Sequence, residues 1–328
     1  MKNKYSKKYI IETGIGLQDV DKLENSSYFL NETSRYIKGD ITLDELDSIV
    51  NSYYKNKPNE KERTEEADKI AVRIAKIISE DSFTFSVGQL LSIHKNLFND
   101  VFQHAGELRG YNFSKKEWVL DGASVTYGDF RELEMILQYD FEHEKKSQYK
   151  SLSKDEIIEH LAIFVANLWQ IHAFEEGNTR TTAVFLIKYL RSLGFDVTND
   201  TFAKNAWYFR NALVRANYNN ISKNIFEDRS YLIKFMRNLL LNEKNELKNR
   251  ELHIAYLNQI ELSTHETFVL NILKENPKIK TVELSEKLGV SLRTIKSILK
   301  RLADKKVIAR INGKKLGYWK STASRMCL

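Results

Sequence analysis

Apolar residues recur every three or four positions through most of this chain, and that period predicts helices. The clearest runs are Ile70, Ala71, Ile74, Ala75, Ile77 and Ile78 within about 65–79, and Leu90, Leu91, Ile93, Leu97 and Phe98 within 86–98. A third run, Ile157, Ile158, Leu161, Phe164, Val165 and Leu168, is apolar enough for a central core helix. Ser153 with Glu156, and Thr42 with Glu45, have the spacing of a capping box, in which each side chain bonds the other residue's backbone N–H. A helix over Ser27 to Ile37 stops near Gly39, and one from Asn178 to Leu193 stops at Gly194, since glycine takes the left-handed conformation that ends helices. Trp207 to Leu213 and Asp228 to Leu241 add two more helical stretches. Only two prolines occur, Pro58 and Pro277, which favours long uninterrupted helices. Polar stretches at 51–66 and 242–250 read as a linker and a domain boundary.

Two places depart from the helical pattern. Trp118, Val119, Leu120, Asp121, Gly122, Ala123, Ser124 and Val125 are β-rich around Asp-Gly, which predicts a hairpin. Near the C-terminus, helices over about 264–275, 282–288 and 292–305, with the tight turn Gly289-Val290-Ser291, have helix-turn-helix spacing. A hairpin over 307–311 and 315–320, turning at Asn312-Gly313, would be a wing. The expected fold is mainly α: a helical region at 1–57, a larger helical domain with one hairpin at 65–245, and a winged helix at 255–321.

Charge sharpens the last region. The chain carries a net +7, yet residues 251–328 hold 15 Lys/Arg against 7 Asp/Glu, a net +8, which leaves 1–250 at −1. A localised basic excess reads as a nucleic-acid footprint, the plainer alternative being a solubilising tail. The third helix of the region carries Arg293, Thr294, Lys296, Ser297, Lys300 and Arg301, and the wing adds Arg310, Lys314 and Lys315, which suits phosphate contacts and major-groove insertion into DNA. Winged helices also serve as protein-interaction modules. Composition otherwise is ordinary for a folded protein, with 42% hydrophobic and 29% charged among 328 residues. The single cysteine, Cys327, excludes a disulfide framework and a zinc cluster and fits a reducing cytoplasm. No apolar run reaches the ~18 residues of a membrane span, and no export signal is read at the N-terminus.

The chemistry concentrates in Ile171-His172-Ala173-Phe174-Glu175-Glu176-Gly177-Asn178-Thr179-Arg180-Thr181-Thr182, where one long helix ends and another begins. A helix N-terminus presents unpaired N–H groups and a partial positive charge to phosphate. Gly177 lets backbone approach a ligand, Asn178 caps the helix or bonds an anion, and Arg180 offers a forked donor. Glu176 is a hard oxygen ligand of the kind that holds Mg²⁺ at a nucleotide. His172 titrates near neutrality and can take a proton from a hydroxyl, and Phe174 anchors the loop. Together these residues read as a phosphate-handling site with its own base. The plainer reading is a helix–loop–helix corner with a buried His and a capping Asn.

The stretch resembles the Fic-family signature H-x-F-x-[D/E]-G-N-x-R, with His172, Phe174, Glu176, Gly177, Asn178 and Arg180 in register. Two positions depart: Ala173 replaces the usual Pro, and Ala183 replaces a second arginine that in the family seats the ATP γ-phosphate and pairs with an inhibitory glutamate. The resemblance implies a Fic-type helical domain that transfers AMP from ATP to a Ser, Thr or Tyr hydroxyl of a target protein, or of the chain itself. In that reaction His172 is the base, Glu176 holds Mg²⁺, the N–H groups around Gly177, Asn178 and Thr179 form the anion hole, and Arg180 binds the β-phosphate. It further implies that the hairpin at 118–125 is a flap docking the target by β-augmentation, preceded by Ala105-Gly106 and Arg109, and that Tyr208 and Asn211 line the adenine and ribose pocket. His94 is expected to be structural. Tyr36 to Thr42 and Leu17 to Leu23 resemble the small antitoxin that partners some Fic proteins. In its S/T-x-x-x-E-G motif the serine position falls on Leu17 and the glutamate position on Asp21, so the usual clamp is expected to be absent or weakened. The other class of reading is a DNA-binding transcriptional regulator whose Fic domain senses nucleotide or is only weakly active. A homodimer stays open, since the sequence is silent on oligomeric state.

Overall fold

The computed structural model describes residues 5–55, 63–223, 225–255, 262–305, 307–311 and 317–321. Its first helix, α1 (Lys7–Gly16), buries Tyr9, Ile10 and Ile11 and is seated closely by two glycines. A Cβ at Gly14 would lie 2.2 Å from the Ala71 carbonyl oxygen, and one at Gly16 2.2 Å from that of Ala203, so only backbone fits against the two neighbouring helices. A 3-10 turn, Leu17–Asp21, follows. Next come α2 (Ser27–Lys38), closed by Gly39 at φ 94°, and α3 (Leu43–Lys55). Thr42 and Glu45 make the expected reciprocal bonds at the start of α3, N–H to Oε2 at 2.7 Å and N–H to Oγ1 at 3.2 Å.

The heart of this part is built by α4 (Thr64–Ser79), α5 (Val87–Phe98), α6 (Leu133–Lys145), α7 (Lys154–Ile171) and α8 (Asn178–Ser192). Ser153 and Glu156 form the capping box of α7. Every residue from Asn178 to Leu190 is buried, which makes α8 the central helix; it is packed by α4, α5, α7 and the 3-10 turn. Phe85, Phe141, Phe164, Phe185 and Tyr189 cluster around it with ring centroids 4.4–6.3 Å apart. Packing of this kind supplies most of a helix's stability in water. Then α9 (Thr201–Ala216), α10 (Ser230–Leu241) and the short α11 (Asn249–Leu252) close the unit.

No strand forms at 118–125, contrary to the expected hairpin. Trp118–Leu120 is a 3-10 turn, and Asp121 (φ 54°) with Gly122 (φ 82°) reverses the chain in left-handed conformation. The Asp-Gly pair therefore does turn, and Glu117 N–H to Ala123 O (2.9 Å), Gly122 N–H to Glu117 O (3.0 Å) and Lys115 N–H to Ser124 Oγ (3.1 Å) tie the two arms without a strand ladder. Val119 and Leu120 explain why: both are buried, and neighbours in a strand point to opposite faces, whereas a helical turn carries both inward. The segment is a loop.

The chain divides into two compact units, Met1–His253 and Ile254–Leu328. The second holds α12 (Thr264–Glu275), α13 (Thr281–Leu288), α14 (Leu292–Asp304) and the antiparallel strands β1 (Ile308–Ile311) and β2 (Tyr318–Ser321), in register with Arg310 opposite Trp319. Its core is aliphatic, built on Leu270, Leu273, Leu284, Ile295, Ile298 and Leu302. The expected wing turn at Asn312-Gly313, with Lys314 and Lys315, lies outside the described residues. Among the described residues no helix is long and apolar enough to cross a membrane.

Candidate active site

His172 ends α7 in left-handed conformation, at φ 51° and ψ 57°. A non-glycine residue there is strained by about 1–2 kcal/mol, so surrounding structure must hold it. Arg109 does so, donating from Nε to the His172 carbonyl (2.7 Å), from its backbone N–H to Ala173 O (2.9 Å), and from the other guanidinium nitrogens to Tyr111 O (2.6 Å), Asn112 Oδ1 (3.0 Å) and Gly128 O. The imidazole lies under the loop, stacked on Tyr127 at 3.9 Å and flanked by Phe113 and Trp169 at 5.5 and 5.4 Å. It is 3% exposed, and neither ring nitrogen has a hydrogen-bond partner. Burial, and then the positive charges of Lys115, Arg109 and Arg210, push its pKa well below the ordinary histidine range, so the ring is neutral and able to accept a proton.

The loop between the two helices is held from below. His94 is structural, as expected: its ring stacks on Phe174 at 3.7 Å, its Nδ1 accepts from Gly106 N–H (2.8 Å), and its Nε2 lies 3.0 Å from the Glu176 carbonyl. Those partners require the tautomer protonated at Nε2, and burial lowers the pKa to about 4. The Asn178 side chain does not cap α8. Its Oδ1 accepts from Phe174 N–H (3.0 Å) and its Nδ2 donates to Phe174 O (2.6 Å), closing the loop on itself. Gly177, at φ 74°, is required by packing: a Cβ there would sit 2.4 Å from the Phe98 ring. Thr179 accepts from Trp169 Nε1 at 2.9 Å. The first intrahelical bond of α8 is Thr181 N–H to Gly177 O (3.0 Å), so the N–H groups of 178–180 form the open start of the helix.

The two charged motif residues differ sharply. Glu176 is half exposed, and one oxygen meets Lys115 Nζ at 3.2 Å. Arg180 is fully buried. Its terminal nitrogens contact Glu66 Oε1 (2.7 Å), Asp21 Oδ2 (2.9 Å) and Gln18 Oε1 (3.1 Å), and its guanidinium lies 4.9 Å from the Phe98 ring centre. Asp21 occupies the position read as a degraded inhibitory glutamate, and it engages the motif arginine.

Tyr208 and Asn211 are not brought to this loop by any observed contact. Both are buried on α9, with Tyr208 OH donating to Tyr231 O (3.3 Å) and Asn211 Nδ2 to Asn249 Oδ1 (2.8 Å). The α9 face turned to the loop carries Trp207 and Arg210 instead. Arg210 pairs with Glu117, a carboxylate 1% exposed, at 2.5 and 3.1 Å, and Trp118 lies 6.4 Å from Trp207. Sequence reasoning missed Lys115, Glu117, Tyr127, Arg210, Glu66 and Gln18. Only their proximity in space marks them.

The motif loop, Lys115, Glu117 and Tyr127 lie within one segment that comparison with known proteins also singles out. Residues 84–190 match the Fic/DOC family model, and 269–309 match that of a winged helix-turn-helix DNA-binding domain. The chain carries a Fic domain and a winged helix. A probable protein adenylyltransferase of Sinorhizobium fredii is 26% identical over 126 residues, 38% of this chain and 62% of that protein, so the match spans less than two thirds of the relative. Among solved structures, a Fic family protein from Desulfovibrio desulfuricans has a TM-score of 0.45 at 12% identity, covering 98% of this chain and 89% of that one. The BepC protein of Bartonella tribocorum, solved with bound AMPPNP, has 0.42 at 18%, covering 55% and 88%. The motif residues from His172 to Arg180 lie inside the matched Fic segment, while Tyr208 and Asn211 lie outside it.

In the winged helix, Arg293, Thr294, Lys296, Ser297, Lys300 and Arg301 are all exposed on α14. They are not equivalent. Arg301 Nε pairs with the buried Glu266 at 2.9 Å and its Nη1 donates to Ser297 Oγ at 3.1 Å, so this cation is committed within the unit. Lys305 meets the same carboxylate at 2.8 Å, and the two bases hold the Glu266 pKa down, to about 2. Lys314 lies outside the described residues.

Proposed function

We propose that the Fic domain transfers AMP from ATP to a protein hydroxyl. The observation that carries this reading is the neutral, unpartnered His172 imidazole held beside the open start of α8. In the reaction His172 takes the proton of the acceptor hydroxyl. The freed oxygen attacks the α-phosphorus, and pyrophosphate leaves. The N–H groups of 178–180 stabilise charge on the phosphate. Glu176 is fit to hold a magnesium ion: it is accessible, and it already has a cation, Lys115, against one oxygen. Among the described residues no three acidic, His or Cys side chains converge, so the ion's other ligands would be phosphate oxygens and water. Magnesium would supply charge neutralisation at the departing pyrophosphate. The test uses the full chain with ATP labelled at the α- or the γ-phosphate, in the presence of a cell lysate. Label is expected on protein from the α-position only. Transfer of the γ-label, or no transfer, would overturn the reading.

The winged helix is proposed to bind duplex DNA through Arg293, Lys296 and Lys300. Removing the charge of any one of these three is expected to lower the slope of log K against log salt by about 0.9. Arg301→Ala is expected to leave the slope unchanged, because Arg301 is spent on Glu266. Equal slopes for wild type and Lys296→Ala would count against DNA binding by this face. A winged helix that binds no duplex at any salt would shift the reading to a protein-interaction module.

A further inference from the structure

We infer that Lys115, on the loop over His172, is a phosphate-contacting cation of the nucleotide site, parked on Glu176 until magnesium takes that carboxylate. The inference rests on the AMP-transfer reading and deepens it. A triphosphate brings about four negative charges, and a site for it needs cations free to meet them. Over the first ten residues of α8 the only charged side chain is Arg180, because position 183 is an alanine. Arg180 is buried against two carboxylates and an amide. The other cations near the base are committed as well. Arg109 is spent on backbone carbonyls, including those of His172 and Tyr111. Arg210 is held by two bonds to the buried Glu117.

Lys115 is different among the described residues around the motif. Its ammonium has one exchangeable carboxylate partner, Glu176 at 3.2 Å, and both side chains reach solvent, 28% and 50% exposed. It lies 5.7 Å from the Phe113 ring centre, and that ring flanks His172. Its backbone is fixed while its head is held only by the exchangeable Glu176 pair: Lys115 N–H donates to Ser124 Oγ (3.1 Å), and Glu117 N–H bonds Ala123 O (2.9 Å). A four-carbon stem on a fixed backbone can turn from a carboxylate to a phosphate without moving the loop. With Glu176 engaged by a metal ion, Lys115 would lose its partner and be available to phosphate. One exchange thus supplies both the site's metal ligand and its mobile positive charge.

The test measures Mg–ATP binding by calorimetry and adenosine binding by saturation-transfer NMR, for the full chain and for Lys115→Met and Lys115→Arg. Lys115→Met is expected to weaken Mg–ATP about ten- to a hundredfold, the size of a charge-assisted hydrogen bond, while leaving adenosine unchanged. Lys115→Arg is expected to restore most of the loss. Unchanged Mg–ATP binding in Lys115→Met would overturn the proposal, as would equal weakening of both ligands, which would make Lys115 a structural tie. Wild type that binds neither ligand would instead overturn the AMP-transfer reading beneath it.

Discussion

Replacing His172 is expected to cut transfer of the α-label by about 10²–10⁴-fold, the usual contribution of a positioned general base, while leaving the fold in place. His172→Asn is the informative variant, since asparagine tolerates the left-handed conformation that residue 172 adopts (φ 51°) better than most side chains. Neither imidazole nitrogen has a partner, so no buried hydrogen bond is lost with the ring. What goes is packing against Tyr127, Phe113 and Trp169. We expect a stability change of about 1 kcal/mol, read from the urea midpoint. Transfer that persists at the wild-type rate in this variant would remove His172 from the chemistry. Loss of transfer together with unfolding would be uninformative for Asn alone, so His172→Gln is run beside it. Two folded, inactive variants isolate the base. The loop adds a further expectation: Tyr127 covers the ring, so acceptor access requires that cover to shift.

Helix starts and stops were legible because their signals are local. A serine three residues before a glutamate, as at Ser153 and Glu156, bonds within its own turn whatever the rest of the chain does. The same holds for Gly39 and Gly194, whose positive φ needs no tertiary partner. The motif was legible as an ordered string, but the jobs of its members were not. Asn178 and Gly177 look like ligand-facing residues in sequence, and the structure adds a second job to each, loop closure by the Asn178 side chain and packing of Gly177 on the Phe98 ring. The helix α1 escaped notice because its closest seats, Gly14 against α4 and Gly16 against α9, are glycines, which carry no apolar signal. The loop at 118–125 was misread because β-branched and aromatic residues around Asp-Gly favour a hairpin locally, while burial of two consecutive side chains, Val119 and Leu120, favours a helical turn. Tertiary burial won. The polar residues of α4 gave no sign of going inside, since only the encirclement of α8 puts Glu66 against Arg180.

That ion pair yields the second large effect. Arg180 has no exposure, and removing it leaves Glu66 and Asp21 facing an uncharged gap. Arg180→Ala is expected to cost about 3 kcal/mol, the penalty for breaking a buried ion pair from one side. Glu66 retains Arg63, which bonds it at 2.8 Å through two nitrogens, and this keeps the cost from rising further. Asp21→Ala is expected to behave differently. Asp21 is partly exposed, and the guanidinium keeps Glu66 and Gln18, so the loss should be about 1 kcal/mol or less. The same change strips one competing carboxylate from the arginine that the AMP-transfer reading gives to the β-phosphate. Mg–ATP should then bind up to about tenfold more tightly, the equivalent of roughly 1.4 kcal/mol. Calorimetry on the two variants separates the roles. Tighter Mg–ATP binding in Asp21→Ala makes the 3-10 turn Leu17–Asp21 a brake on the site. Unchanged binding in Asp21→Ala, alongside a destabilised Arg180→Ala, makes Arg180 a structural tie between α8, α4 and that turn, and leaves the phosphates to the start of α8 and to Lys115.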